Sequence, residues 1–123
     1  MDAEERLKDF SLNNSRQYRY LRIPERDVKG NLEYVRDDRL GNVAKLKDFE
    51  SALVGLDISQ DAIDSIYKIL AAILILGEMR FKESSVDKKA ALEDPKIAGE
   101  IAALLKIDDK KFQWALVNYC VLI

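Results

Sequence analysis

The sequence contains no histidine and a single cysteine, Cys120. Cys/His zinc sites need several such ligands, and Ser-His-Asp or Cys-His nucleophile systems need an imidazole, so this chain builds neither by itself. A lone cysteine forms no internal disulfide, a pattern that suits a reducing compartment. Glycine is sparse, at positions 30, 41, 55, 77 and 99, and none of the five precedes a lysine. The phosphate-cradling Gly-x-x-x-x-Gly-Lys-Ser/Thr loop and the Gly-x-Gly-x-x-Gly turn are therefore both missing. Long apolar runs are missing too. The longest, Ile69–Leu76, has eight residues, against the ~20 a membrane-spanning helix requires.

Net charge is almost absent, with 20 basic residues against 22 acidic ones. That balance creates no bulk field for nucleic acid or anionic lipid. The first residues, Met1-Asp-Ala-Glu-Glu-Arg-Leu-Lys8, are charged where a secretory leader needs an apolar stretch. The expectation is a cytoplasmic chain with no nucleic-acid partner and no membrane insertion.

What is present is globular composition: 48% hydrophobic and 34% charged over 123 residues, enough for one domain with its own core. Asp2–Phe10 reads as a short amphipathic helix with Leu7 and Phe10 inward, and Tyr18-Arg-Tyr-Leu-Arg22 as a brief extended piece before Pro24. Arg16, Arg19 and Arg22 interleave with Tyr18 and Tyr20, a combination able to stack on bases. The acids that follow, Glu25, Asp27, Glu33, Asp37 and Asp38, would repel a phosphate backbone, so residues 24–41 read as a charged surface connection.

From Asn42, a plausible cap, Leu46, Phe49, Leu53 and Leu56 recur at helical spacing. Gly55 falls in the last turn, Asp57-Ile-Ser forms a joint, and Ser59 caps the next helix. That central helix, closed by Gly77, presents Ile63, Ile66, Leu70, Ile73 and Leu74 on one face, widened by Ile69, Ala72 and Leu76. Its other side begins polar, with Asp64 and Lys68 spaced for an ion pair, and turns apolar at Ala71 and Ile75. The second half is thus expected to be enclosed all round, with an extended exit near 79–82. Residues 82–93 read as a polar loop with at most one helical turn. Asp94-Pro95 starts a helix with Ile97, Ile101, Leu104 and Leu105 inward. A last helix follows, lined by Phe112, Ala115, Leu116 and Tyr119, ended by Asn118, with Trp114 off its stripe. The fold class expected is mainly α.

Little chemistry accompanies this frame. Asp37-Asp38 and Asp108-Asp109 read as caps or solvated charge rather than an acid–base pair. Asp108-Asp-Lys-Lys111 lacks the alternating oxygen ligands and the glycine of a calcium loop.

Ile69-Leu-Ala-Ala-Ile-Leu-Ile-Leu-Gly-Glu-Met-Arg-Phe81 closely resembles a stretch of the myosin motor domain, usually Leu-Ala-Ala-Ile-Leu-His-Leu-Gly-Asn, two residues, then Phe. Tyr18-Arg-Tyr-Leu21 is similar to the motor's Tyr-x-Tyr-Leu. Ala52-Leu53 with Leu56-Asp-Ile-Ser59 is similar to its Ala-Leu and Leu-Gly-Phe-Ser. Ile101-Ala-Ala-Leu-Leu-Lys-Ile107, with Phe112 and Ala115-Leu116, resembles its Ala-x-Leu-Leu-Gly-Val helix and the helix after it. Asp2–Leu12 fits the short helix before the tyrosines. The chain departs from the pattern at Ile75 (His), Glu78 (Asn), Asp57 (Gly) and Lys106 (Gly), which suggests a divergent, unconventional class.

The resemblance implies that residues 1–123 are part of the upper 50-kDa region of a myosin head, an actin-activated ATPase of the P-loop superfamily. In the family's order the phosphate loop and first switch lie before this stretch, and the second switch, relay and converter lie after it. No catalytic, cofactor-binding or metal-binding residue carries over, and ATP and magnesium would belong to the parent motor. The partners implied are the rest of the head and the actin filament of the cytoskeleton. Lys82, Lys88 and Lys89 fall where the motor has a surface loop near actin. Val121 and Leu122 fall at the approach to another actin-facing loop. The alternative is a free-standing all-α interaction module binding through Trp114, Phe112 and the apolar carboxyl terminus.

Overall fold

A computed structural model describes residues 4–13, 16, 18–26, 32–34 and 39–118. Helix α1 runs Glu4–Asp9, and Leu7 and Phe10 are buried as predicted. Ser11 adopts a left-handed φ of 56° and ends it. The extended piece expected over 18–22 begins only at Arg22. Tyr18 precedes a 3-10 turn, Arg19–Leu21, because the two tyrosines go different ways. Tyr18 is buried, with its hydroxyl accepting from the Asn13 N–H at 3.0 Å, whereas Tyr20 lies against Gly77.

Within the expected surface connection, strands β1 (Arg22–Arg26) and β2 (Leu32–Tyr34) pair antiparallel. Their register is irregular between the paired positions Arg22 and Arg26. Pro24 lies between those positions and has no N–H to give to a ladder.

Helix α2, Arg39–Gly55, starts before Asn42, so Asn42 is a helical residue and not its cap. Leu46 and Leu53 pack on the core, but Phe49 and Leu56 are exposed. The inward face has rotated because Glu50, between the two leucines, turns inward to meet α1 and the next helix.

Asp57 joins α2 to helix α3 (Gln60–Leu76) with a left-handed φ of 59°. The Ser59 hydroxyl accepts from the Ala62 N–H at 3.2 Å, the predicted cap. The buried residues of α3 are Ile63, Tyr67, Ala71, Ala72 and Ile75, while Ile69, Leu70 and Ile73 are about half exposed. The expected face is therefore corrected, and the second half is not enclosed on all sides by this chain. The reason lies in helix α4, Pro95–Leu105, which buries Ala98 and Ala102 along with Ile101 and Leu104. Small residues at the buried positions of both helices let the backbones come close, since interaxial distance is set by the side chains at the contact. The bulkier Ile69, Leu70 and Ile73 are left outside. The expected Asp64–Lys68 pair is also replaced: Asp64 accepts from the Gln60 side-chain amide at 3.1 Å.

Residues 82–93 do not form a loop with a helical turn. Strands β3 (Phe81–Glu83) and β4 (Ala90–Leu92) make an antiparallel hairpin in register Phe81↔Leu92, Lys82↔Ala91, Glu83↔Ala90. Asp94 caps α4 by accepting from the Lys96 N–H at 3.1 Å, and Pro95 opens it, as predicted. Ile97 is half-buried, and Leu105 is exposed, Ala98 and Ala102 holding the inward places.

Lys106 makes the second left-handed joint, with φ 53°. Left-handed backbone costs roughly 1–2 kcal/mol at a non-glycine residue. The two chain joints so strained, Asp57 and Lys106, are the two at which the resembled pattern has glycine. Helix α5, Asp109–Val117, is capped by Asp108, whose carboxylate accepts from the Lys111 N–H at 2.8 Å. Phe112 and Leu116 pack on the core and Ala115 is exposed. Asn118 ends the helix as predicted, its amide donating to the Trp114 carbonyl. Tyr119, Cys120, Val121, Leu122 and Ile123 lie outside the described residues.

Candidate functional site

Hydrogen bonding shapes the hairpin from its root outward. The Glu93 N–H donates to the Arg80 carbonyl at 3.0 Å, and at the tip the Ser84 N–H donates to the Lys89 carbonyl at 2.8 Å. The Lys88 N–H donates back to Ser84, and Lys88 takes a left-handed φ of 57°. The Asp87 carboxylate accepts from the Lys89 N–H at 3.1 Å, which holds Asp87 below the ordinary carboxylate range, helped by the Ser84 hydroxyl and the Lys89 charge.

Lys82, Lys88 and Lys89, expected on one surface loop, lie on this hairpin, and all three are exposed. Val86 at the tip is 93% exposed. The root is held: Leu92 packs on the core, and β4 lies against α5. A shallow groove there is lined by Ala91, Leu92, Pro95, Trp114 and Val117. Trp114 is more than half exposed, and Phe112, its proposed partner in the module reading, packs inward instead. Val121 and Leu122, the other candidates, fall outside the described residues.

Three contacts elsewhere in the chain were not legible as such. Glu50 accepts from both the Arg6 guanidinium and the Tyr67 hydroxyl through one oxygen, Oε1. Arg6 also lies over the Tyr67 ring at 5.4 Å, and Phe10 meets that ring edge-on at 5.8 Å. Glu50 sits four residues after Leu46 and three before Leu53, so its place on the apolar stripe was the available signal. Glu78 accepts from the Arg19 backbone N–H, tying the 3-10 turn to the end of α3. The Tyr20 ring lies so close to Gly77 that a Cβ there would fall 2.7 Å from it.

The Glu50 knot has a pH range of its own. The Tyr67 hydrogen bond, joined by Arg6, lowers the Glu50 carboxyl from its ordinary value of 4.5. Burial first, then Glu50, pushes the Tyr67 phenol up from 10.0 to about 12. The Glu50 contribution is complete above its ordinary value and is lost as pH falls through the lowered one. That of Tyr67 is complete below about 10 and is lost as pH rises towards about 12. Ultraviolet titration is expected to find the Tyr67 phenol ionising above its ordinary value of 10.0, and Glu50→Gln should bring it part of the way back. A Tyr67 whose ionisation is unmoved by Glu50→Gln would contradict the knot.

Among the described residues no group of acids and cysteines is placed to hold a metal ion, and no helix is long and apolar enough to cross a membrane. The features together define a helical segment that presents a basic surface hairpin. The chain belongs to the myosin head (motor domain) family, whose pattern it matches over residues 1–122. It is 39% identical over 119 residues to "Neither inactivation nor afterpotential protein C" of Drosophila melanogaster, covering 97% of this chain and 8% of that protein. It is 28% identical over 116 residues to "Myosin IA heavy chain" of Dictyostelium discoideum, covering 94% of this chain and 11% of that one. Against "Unconventional myosin heavy chain 6" of Caenorhabditis elegans it is 34% identical over 85 residues, 68% of this chain and 4% of that protein. The chain thus spans about a tenth or less of the length of these relatives.

Proposed function

We propose that this chain serves as a packing and filament-facing segment of an actin-based, ATP-driven motor head in the cytoplasm, with ATP and magnesium handled elsewhere in the head. The observation that carries this reading is the exposed hairpin of β3 and β4, set on a helical base. Its strands and tip bear Lys82, Lys88 and Lys89 against two carboxylates, Glu83 and Asp87. The Asp87 carboxylate is engaged with the Lys89 N–H inside the turn, while the lysine side chains remain open to solvent. A positive, solvent-facing tip suits an acidic filament surface, where rim charges act mainly on encounter and on salt dependence.

The test is Lys88→Glu with Lys89→Glu in a complete head. At low salt the affinity for actin filaments in co-sedimentation is expected to fall about 5- to 30-fold, as two rim charges are reversed. The loss should shrink as salt screens the contact. Unchanged affinity together with an unchanged salt dependence would remove the hairpin from the filament contact.

A further inference from the structure

The turn of the hairpin holds two adjacent serines in different settings. Ser84 is half-buried. Its hydroxyl accepts from the Val86 N–H at 3.4 Å and supports the Asp87 carboxylate. Its N–H and carbonyl close the turn with Lys89 and Lys88. Ser85 is exposed, and among the described residues neither its hydroxyl nor its backbone makes a hydrogen bond.

The chain reaches Ser85 through Arg80-Phe-Lys-Glu-Ser84. Arg80 and Lys82 thus stand five and three residues before the free hydroxyl, and the open, apolar Val86 comes directly after it. Arg80 is at the root and Lys82 within β3, two residues apart, the spacing that puts side chains on one side of an extended chain. Both are exposed, and neither enters an ion pair among the described residues. An open hydroxyl preceded by two unpaired cations has the charge pattern by which basophilic protein kinases select an acceptor, through carboxylates beside their catalytic cleft.

We propose that Ser85 is a phosphorylation site for a basophilic serine/threonine kinase, with Arg80 and Lys82 as the cations the kinase reads. In the transfer the Ser85 Oγ attacks the γ-phosphorus of ATP. The Oγ–P bond forms as the bond to the β–γ bridging oxygen breaks, and ADP leaves with that electron pair. The hydroxyl proton passes to the catalytic carboxylate of the kinase. An acidophilic kinase would instead read Asp87, three residues after Ser84. That carboxylate is already engaged by the Lys89 N–H, and the Ser84 hydroxyl is held inside the turn. Lys82, Lys88 and Lys89 on the same hairpin would also repel the basic cleft of such an enzyme.

The effect of the phosphate rests on the proposed function and specifies its regulation. From Lys82 to Lys89 the hairpin carries three lysines and two carboxylates. A phosphate adds a charge of about −1.5 to −2 at neutral pH, which turns this net positive tip net negative. It stands on the same turn as Lys88 and Lys89 and competes with an acidic filament for them.

The test incubates the complete head with magnesium ATP and a purified kinase that selects bases three and five residues before its acceptor. Mass spectrometry maps the phosphate. Incorporation is expected at Ser85 with Ser84 unmodified, and Arg80→Ala with Lys82→Ala should slow it about tenfold in kcat/KM. No phosphate at Ser85, transfer to Ser84 in its place, or a rate indifferent to loss of both cations would overturn the inference. The phosphorylated head is then compared with a Ser85→Ala head taken through the same reaction. Its affinity for actin filaments in low-salt co-sedimentation is expected to be about 3- to 10-fold weaker, a difference that added salt erases. Equal affinities, in a head that does respond to reversal of Lys88 and Lys89, would overturn the charge effect. The two proposals fail separately. A head that loses actin affinity on charge reversal, yet takes no phosphate at Ser85, keeps the proposed function and loses this site. A head modified at Ser85 through Arg80 and Lys82, but indifferent to charge reversal, keeps the site and removes the hairpin from the filament contact.

Discussion

Ile75→Ala is expected to lower the unfolding free energy of this chain by about 2–5 kcal/mol in chemical denaturation, and Ile73→Ala by less than about 1 kcal/mol. Ile75 has no exposed surface and sits among Tyr67, Ala71, Ala98 and Ile101 in one buried cluster. Its truncation opens a cavity that rigid helix contacts close only in part, whereas Ile73, at 46% exposure, already has solvent beside it. Ile75→Asp would add the cost of stranding a carboxylate away from water and should abolish cooperative unfolding. Ile73→Asp should retain a cooperative transition in the chain alone. The periodicity of the sequence points the opposite way, with Ile73 on the expected inward face and Ile75 on the other side, so the pair is a direct test of how α3 is turned. A larger loss at Ile73 than at Ile75 would show that the helix is rotated from the arrangement described.

Gly77→Ala should be more damaging than the same change at Gly55 or Gly99. The new methyl would lie 2.7 Å from the Tyr20 ring, with two further ring carbons at 2.9 Å. The nearest atoms include the Cγ at the base of the ring, so the side chain cannot swing clear at its tip alone, and the 3-10 turn must move. Overpacking of this kind costs about 1–3 kcal/mol. The backbone φ at Gly77 is −62°, so steric approach is the whole cause and conformational strain contributes nothing. A double-mutant cycle separates the two: Tyr20→Ala is expected to remove most of the penalty of Gly77→Ala. If the penalty persists with the ring gone, the close approach is not its source.

The ends of the elements were legible because they depend on neighbours in sequence. Ser59, Asp94 and Asp108 each cap the helix that follows through a side chain two or three residues from the amide it accepts, and Asn118 closes α5 just as locally. The facing of α3 was not legible. Its second half is apolar on both sides, so periodicity offers two faces, and the choice is made by alanines on α4 thirty residues away. The hairpin escaped for another reason. Its turn, Ser84-Ser-Val-Asp-Lys-Lys89, has no Asn-Gly or Asp-Gly signal, and its pairing is settled by register between short strands that carry little signal alone. The exposure of Lys82, Lys88 and Lys89 needed no such detail, since charged side chains in a polar stretch seldom leave solvent. The same rule misplaces Glu50, because a carboxylate turns inward only when a cation and a hydroxyl meet it there.

That single Glu50 oxygen has a mechanical meaning. Helices α1, α2 and α3 come from separate stretches of chain, yet Arg6, Glu50 and Tyr67 bind them at one atom. A displacement of α1 is therefore felt by both long helices at that one atom. The knot works as a rivet that couples three rods at a single point.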